Sequence, residues 1–301
     1  MIRPFIGLCA ALFPTFLVAG IIYPIPPCPL RVLLETSDIV AVGQVAQLEW
    51  VEDSDSYEDS RAILKVSEVL QGQLQKSEIA IYYSRNLICP APPYFELGAT
   101  VLVFVNPIEE YAGYYTQALA YGVKTLEEEV LKAYKQQIVS YQAQRGQLQR
   151  ERQEALANWL TACLTNPHTR YEALLDISAI GSKNWGAELT GNLVFSAEQR
   201  TTILSWLREE EELFYLHFDM LDQLANNGYT ADLAQLLAHR LRTTYQTSPW
   251  MAAPLMQRLV SWSEEPQLIS LYEQIEQLSN EEASYEAKRA ELVQAFVEAL
   301  P

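Results

Sequence analysis

Residues 38–45 of the chain read Asp-Ile-Val-Ala-Val-Gly-Gln-Val, and residues 100–105 read Thr-Val-Leu-Val-Phe-Val. Both runs are short, apolar and rich in β-branched residues, which fit a pleated sheet better than a helix. Runs of this length and composition are typical of strands that are deeply buried. These two runs therefore predict a β-structure in the first part of the chain.

Three further strands are predicted around them. Residues 62–70 alternate between apolar and polar side chains until Gln71-Gly72 breaks the pattern, and similar short runs occupy residues 78–83 and 114–118. A short amphipathic helix is predicted over residues 30–35. Short strands joined by polar turns are typical of a small barrel or sandwich.

The second half of the chain predicts helices. Apolar residues recur there at helical spacing, and about eight helices are expected from their start and stop signals. The signals are capping boxes at Thr125/Glu128, Ser196/Gln199 and Ser279/Glu282, cap-proline pairs at Asn166-Pro167 and Ser248-Pro249, and a stop at Asn226-Asn227-Gly228.

The fold class predicted is therefore α+β, with a five-stranded β-domain at residues 21–123 and an all-helical domain at residues 124–301. Helix starts near Ser196, Thr230 and Pro266 recur at a pitch of about 35 residues, which is in the range of helical repeats. A compact bundle fits the same pattern, so the arrangement of the helices stays open.

The N-terminus has the pattern of a secretory leader. A basic start with Arg3 precedes an apolar stretch over residues 5–18, and Val18-Ala19-Gly20 offers small residues for cleavage. We predict a signal peptide over residues 1–20 and a location in the periplasm or outside the cell. The alternative is an uncleaved membrane anchor.

The charge of the chain restricts its partners. The formal net charge is −17, whereas nucleic-acid binding needs Lys and Arg to replace the counterions of the phosphates. Anionic membrane surfaces are disfavoured for the same reason. The remaining candidate is a protein partner, with membrane contact only through an uncleaved leader.

The β-domain resembles the netrin-like OB-fold module of tissue inhibitors of metalloproteases. The residues that carry this resemblance are Cys28, the segment Ser37-Asp38-Ile39-Val40, residues 64–72 and 79–83, Cys89, and residues 95–104. The resemblance implies a closed five-stranded barrel that acts by binding other proteins. Residues 157–173 of the helical half look like segments of uncharacterised bacterial exported proteins, which implies no activity.

Departures from the inhibitor pattern bear on function. Glu35 stands where a Cys often precedes Ser-Asp, and the family's further disulfide partners are missing. In those inhibitors the α-amine of the first Cys of the mature chain binds the catalytic zinc. Here residues 21–27 precede Cys28 if the leader is cut after Gly20, so we predict that the chain does not inhibit zinc proteases in that way.

A disulfide between Cys28 and Cys89 is predicted. The two residues flank the barrel segment, and exported proteins fold where thiol pairs oxidise. A bridge across this loop would contribute about 3–4 kcal/mol in the chain-entropy model. The alternative is two separate buried thiols.

Other polar residues carry weaker hypotheses. Cys163 is expected to be a buried thiol on a helix, and a nucleophilic pair with His168 lacks an orienting third group. A metal site at His217 with Asp219 and Asp222 is disfavoured, because positions 217 and 219 do not share a helix face.

Two acidic stretches and the tyrosines complete the candidates. Residues 49–59 could form a calcium loop, but the spacing of an EF-hand is missing, and a solvated hairpin loop is preferred. Residues 209–212 are expected to be a solvated helix end. Packing is the default for most barrel tyrosines, which are Tyr82, Tyr83, Tyr94, Tyr111, Tyr114, Tyr115 and Tyr121.

The sequence contains no motif of the common hydrolases, kinases or dehydrogenases. We therefore expect no catalytic, metal-binding or cofactor-binding residue and no cofactor. The predicted function is non-catalytic binding of another protein in the cell envelope or outside the cell. The alternatives are an enzyme or protease inhibitor whose site forms no local motif, and a structural envelope protein.

Overall fold

A computed structural model describes residues 27–51, 58–86, 91–110, 112–145, 149–182, 193–210, 213–228, 230–263, 265–279 and 284–300. The predicted leader, residues 1–20, lies outside the described residues. Within them, no helix is both long enough and apolar enough to cross a membrane.

The first half forms a closed mixed β-barrel, as an OB-like barrel requires. The strand order is β1-β2-β3-β5-β4, and β4 pairs with β1 to close the ring. β3 and β5 run parallel, while the other neighbours are antiparallel. The elements are α1 (Leu30–Thr36), β1 (Ile39–Trp50), β2 (Ser60–Gln71), β3 (Glu78–Tyr83), β4 (Thr100–Pro107), β5 (Tyr114–Thr116), a 3₁₀ turn (Leu119–Gly122) and β6 (Val123–Thr125).

The continuous apolar runs of β1 and β4 arise because both strands are buried on both faces. On β1, Ile39 and Ala41 face the barrel interior, whereas Val40 and Val42 pack against the helical half. β4 alternates in the same way, since Val103 lies in the barrel core and Phe104 in the other cluster. A strand covered on both faces has no solvent side, so its sequence loses the polar alternation.

Closure of the barrel depends on Gly43. β1 pairs with β4 over its first half and with β2 over its whole length, and the β1–β2 register shifts three times. A Cβ at Gly43 would lie 2.5 Å from the carbonyl oxygen of Lys65. Only glycine therefore lets β2 approach β1 at this point.

Helices make up the second half, which confirms the α+β prediction. They are α2 (Glu128–Gln142), α3 (Gln149–Thr165), α4 (Arg170–Ser182), α5 (Ala197–Glu209), α6 (Tyr215–Asn226), α7 (Thr230–Thr244), α8 (Pro249–Trp262), α9 (Pro266–Glu276) and α10 (Tyr285–Ala299).

Several of the predicted helix boundaries are confirmed. Ser196 forms a capping box with Gln199 at the start of α5, and Pro249 is the first residue of α8. Gly228 follows the end of α6 with φ of +86°, the left-handed conformation that suits glycine after a helix.

Two boundaries were predicted wrongly. Thr125 does not cap a helix. It lies in β6, where it pairs with Val101 of β4, and α2 begins three residues later. Asn166 begins a turn instead of a helix, with its carbonyl oxygen accepting the N–H groups of Thr169 and Arg170. Glu282 of the third capping box lies outside the described residues.

A single apolar cluster joins the barrel to the helices. It contains Leu30, Leu33 and Leu34 of α1, the outer faces of β1 and β4, and buried residues of every helix from α2 to α10. A second, smaller cluster fills the barrel interior. The helix α1 is therefore the element that connects the two halves.

Candidate functional site

A buried ion pair lies where α1 meets α4. Arg31 Nε donates to Asp176 Oδ1 at 3.1 Å and Oδ2 at 2.9 Å, and Arg31 Nη2 donates to Oδ1 at 2.9 Å. The Asp176 side chain is wholly buried and Arg31 is 4% exposed. Arg31 Nη1 also donates to Glu35, which accepts a hydrogen bond from the Tyr141 hydroxyl.

The protonation of this pair follows from its geometry. Burial opposes the charge of Arg31, but the Asp176 carboxylate outweighs it and raises the Arg31 pKa. Burial also raises the pKa of Asp176, while the guanidinium acts in the opposite direction. We assign both groups as ionised, because a guanidinium keeps its proton in proteins and both carboxylate oxygens accept its N–H groups.

A second carboxylate lies near the first on α4. Glu172 Oε1 accepts hydrogen bonds from Lys124 Nζ at 2.6 Å and from the Tyr134 hydroxyl at 2.7 Å. Glu172 Oε2 is buried without a hydrogen-bond partner among the described residues. Burial, followed by the Glu172 charge, raises the pKa of Tyr134, which keeps its hydroxyl protonated as a donor.

These groups link the two halves, and three of them, Arg31, Glu172 and Asp176, are buried, whereas Glu35 is 44% exposed. We call Arg31, Glu35, Lys124, Glu172 and Asp176 the charged seam. It includes residues of α1, β6 and α4, and breaking a buried pair costs more than forming it stabilises. The seam was not predicted, although Arg31 within the apolar residues 30–34 of α1 is a signal that a charged side chain there needs a buried partner.

Cys28, predicted to form a disulfide, also lies near the seam. Its side chain is buried in the cluster between barrel and helices and forms no disulfide with another described residue, and burial raises the pKa of the thiol to about 12. Cys89 lies outside the described residues. The disulfide between them stays a prediction.

Cys163 and His168 do not form a nucleophilic pair. Cys163 is a free, fully buried thiol whose pKa is raised by burial, as expected for a structural cysteine. His168 Nε2 instead lies 3.7 Å from Glu129 Oε1.

His217 is a buried, neutral histidine. Its Nδ1 accepts the backbone N–H of Phe214 at 3.0 Å, its ring stacks on Trp206 at 5.5 Å, and Nε2 has no hydrogen-bond partner among the described residues. Burial lowers its pKa to about 4. Asp222 pairs with Arg258 instead.

Metal binding finds no support in this part of the chain. Across the described residues, no group of three His, Cys, Asp or Glu side chains is placed to hold a metal ion. Within the acidic stretch 49–59, residues 52–57 lie outside the description. The Asp59 carboxylate binds groups of the protein itself. It accepts hydrogen bonds from the backbone N–H of Arg85 at 3.0 Å and from Asn86 Nδ2 at 2.6 Å.

The end of the barrel that contains Asp59 also carries an exposed aromatic and cationic surface. Trp50, the last residue of β1, is 64% exposed. The Arg85 guanidinium carbon lies 4.8 Å from the centroid of the Trp50 ring and 5.9 Å from that of Tyr83. On the opposite face of the same strands, Arg61 pairs with Glu49 at 2.5 Å and donates to the Tyr82 hydroxyl at 3.3 Å.

We call Trp50 and Arg85 the aromatic patch. Hydrogen bonds to Asp59 fix the backbone at Arg85, so the guanidinium is held over the indole before any partner arrives. Trp, Tyr and Arg are the residues that contribute most to binding at protein interfaces. The patch is therefore suited to protein recognition.

The other barrel tyrosines have mixed environments. Tyr83 is buried against Phe95, with ring centroids 5.3 Å apart, which fits the packing interpretation. Tyr94 and Tyr115 are 73% and 44% exposed, so packing does not account for them. Tyr111 lies outside the described residues.

Comparison with known proteins gives no direct lead. No family model, no curated protein and no solved structure matches the chain. The function must therefore be argued from the residues themselves.

Proposed function

We propose that the protein is an exported, non-catalytic binding protein that recognises another protein through the aromatic patch. The helical half supports the barrel through the charged seam, and the barrel presents the patch to solvent. The observation that carries this proposal is the exposure of Trp50 beneath the Arg85 guanidinium.

The indole of Trp50 is exposed apolar surface that a partner could cover. Contact with a partner would remove this apolar surface from water, which is the main favourable term in protein association. Because Arg85 already covers one part of the ring, little side-chain freedom is lost on binding. Such preorganisation increases affinity.

The charge of the chain favours a protein partner over a nucleic acid. Its net charge of −17 repels phosphates, and the single arginine at the patch does not reverse that field. Arg85 does provide donors in a fixed planar geometry that suits carboxylates and carbonyl groups of a partner.

We propose further that the barrel is a netrin-like module which has lost the inhibitory use of its first cysteine. The support is the position of Cys28, which is 2% exposed and packs with residues of the helical half. A cysteine packed there is poorly placed to enter a protease active site.

A capture experiment with two tryptophan variants tests the proposed function. Wild-type protein, Trp50→Ala and Trp250→Ala are immobilised at equal density and exposed to the same envelope extract. Trp250 is the matched control, because it is 60% exposed on α8, in the helical half. We expect the same protein to be captured by wild type and Trp250→Ala and to be lost with Trp50→Ala.

Two results contradict the proposal. One is equal capture by Trp50→Ala and Trp250→Ala, which removes the patch from the binding surface. The other is loss of capture with both variants, which indicates nonspecific apolar adsorption.

A further inference from the structure

The barrel closes between β3 and β5 through a short contact. The ladder that joins these strands consists of one pair, Ile81 with Tyr114. Residues 78–80 are the first half of strand β3. On the side away from β5 they pair with β2. No described strand lies beside residues 78–80 on the β5 side.

A cleft of about 830 Å³ occupies this gap. Ile63 and Ala80 line its barrel wall, Lys76 and Glu78 line one rim, and Ile108 and Gly113 line the other. Ile63 is buried, yet it belongs to neither apolar cluster. The volume is in the range of ligand-binding sites.

We infer that this cleft binds an extended segment of a partner protein, which adds as a strand to the open edge of β3. The inference rests on the proposed function, in that it assumes a protein partner, but it uses a different surface from the aromatic patch.

The open edge defines the chemistry of the occupant. Half of the backbone N–H and C=O groups of a strand point to each side, so residues 78–80 direct such groups into the cleft. An extended peptide supplies the matching acceptors and donors, which is the usual basis of strand addition. A folded helix or an isolated ion would leave them without backbone partners.

The lining defines the side chains of that segment. Successive side chains of a strand point to opposite faces, so every second residue of the peptide would face the wall formed by Ile63 and Ala80. Those positions should be apolar, and the intervening ones polar. Lys76 and Glu78 carry opposite charges at the rim, so the cleft selects an uncharged segment.

A defined peptide pool tests the inference. The probe is a fluorescein-labelled pool of acetylated hexapeptides in which Val or Ile alternates with Ser or Asn, and binding is measured by anisotropy. A second pool has the same side chains with alternate backbone amides methylated, which removes donors. We expect the second pool to bind about tenfold more weakly or worse.

Two variants locate the binding. Ala112 is exposed and lines the cleft, so Ala112→Trp should block it and weaken binding of the first pool about tenfold. Ala231→Trp places the same side chain at an exposed position on α7 and should leave binding unchanged. Hydrogen exchange of the amides of residues 78–80 should slow when the first pool is added.

The outcomes separate this inference from the proposed function. It is overturned if the first pool does not bind, if both pools bind equally, or if Ala112→Trp binds as wild type does. Loss of peptide binding with Trp50→Ala but not with Ala112→Trp would move the peptide to the aromatic patch. A wild-type dimer that Ala112→Trp abolishes would show that a second copy of the chain fills the cleft instead.

Discussion

Arg31 and Arg85 have opposite roles in the molecule, although both lie beside aromatic and acidic groups. Arg31 is buried at the charged seam, where Asp176 occupies its donors. Arg85 is exposed at the end of the barrel, with its guanidinium stacked on Trp50. The seam pairs Arg31 with Asp176 inside the protein, whereas the patch keeps its contact surface open. We propose that the first region serves stability and the second serves recognition.

Removing the buried carboxylate should give the largest effect. Asp176→Ala leaves the Arg31 guanidinium buried without its main partner, and we expect a loss of about 3–5 kcal/mol in the free energy of unfolding. Urea denaturation measures this loss. The control is Asp222→Ala, which removes the partly exposed partner of Arg258 and should cost less than about 1 kcal/mol.

A double replacement sharpens that result. Arg31→Met with Asp176→Leu removes both charges and keeps apolar volume, so it should recover most of the stability that Asp176→Ala loses. If Asp176→Ala is as stable as Asp222→Ala, the seam does not hold the two halves together.

The pH dependence of stability should reveal His217. Its pKa in the folded protein is about 4, below the ordinary value of about 6.5. Between these values the unfolded chain takes up a proton that folded His217 does not. Its contribution is therefore fully present above pH 6.5 and falls by up to about 3 kcal/mol as the pH approaches 4.

Unfolding free energies of His217→Gln and wild type between pH 4 and 7.5 test this. The difference between the two proteins should change across that window, with wild type losing more stability on acidification. His239→Gln, which alters an exposed histidine, is the control. Parallel pH profiles for wild type and His217→Gln would contradict the assignment.

The sequence predicted local features of the fold better than contacts between distant segments. Strand β3 was predicted at its observed bounds, and Pro249 and Pro266 begin helices as their positions indicated. These features depend on neighbouring residues. Thr125 was assigned wrongly because pairing with β4 overrides a local capping signal.

Neither the seam nor the patch could be predicted from local patterns. Arg31 and Asp176 are 145 positions apart, and only the packing of α1 on α4 brings them together. The contact between Trp50 and Arg85 depends on the register of β1, β2 and β3 and on the hydrogen bonds of Asp59. Exposure itself, which makes Trp50 a binding candidate, is a property of the folded chain.

At the patch, Arg85→Ala should have a smaller effect than the changes above. It removes a cation–π contact worth about 0.5–1 kcal/mol at an exposed site, and leaves the indole less well held. We expect partner affinity to fall about threefold and the free energy of unfolding to fall by no more than about 1 kcal/mol. Affinity equal to that of wild type would show that Arg85 does not preorganise Trp50.

We expect the protein to have no effect on the activity of zinc proteases. Purified mature protein titrated against a panel of zinc endopeptidases should leave their activity unchanged, because Cys28 is buried and is expected to follow residues 21–27. Stoichiometric inhibition that is lost on acetylation of the N-terminal amine would overturn the account of the first cysteine.

The division between seam and patch is tested most directly by Trp50→Ala with two measurements on one preparation. Its free energy of unfolding should stay within about 1 kcal/mol of wild type, because the exposed side chain adds little to the core beyond its cation–π contact with Arg85. Its affinity for the protein captured by wild type, measured by calorimetric titration, should fall about 30-fold, as expected for an interface residue worth about 2 kcal/mol. A stable Trp50→Ala variant that binds with wild-type affinity would contradict the account.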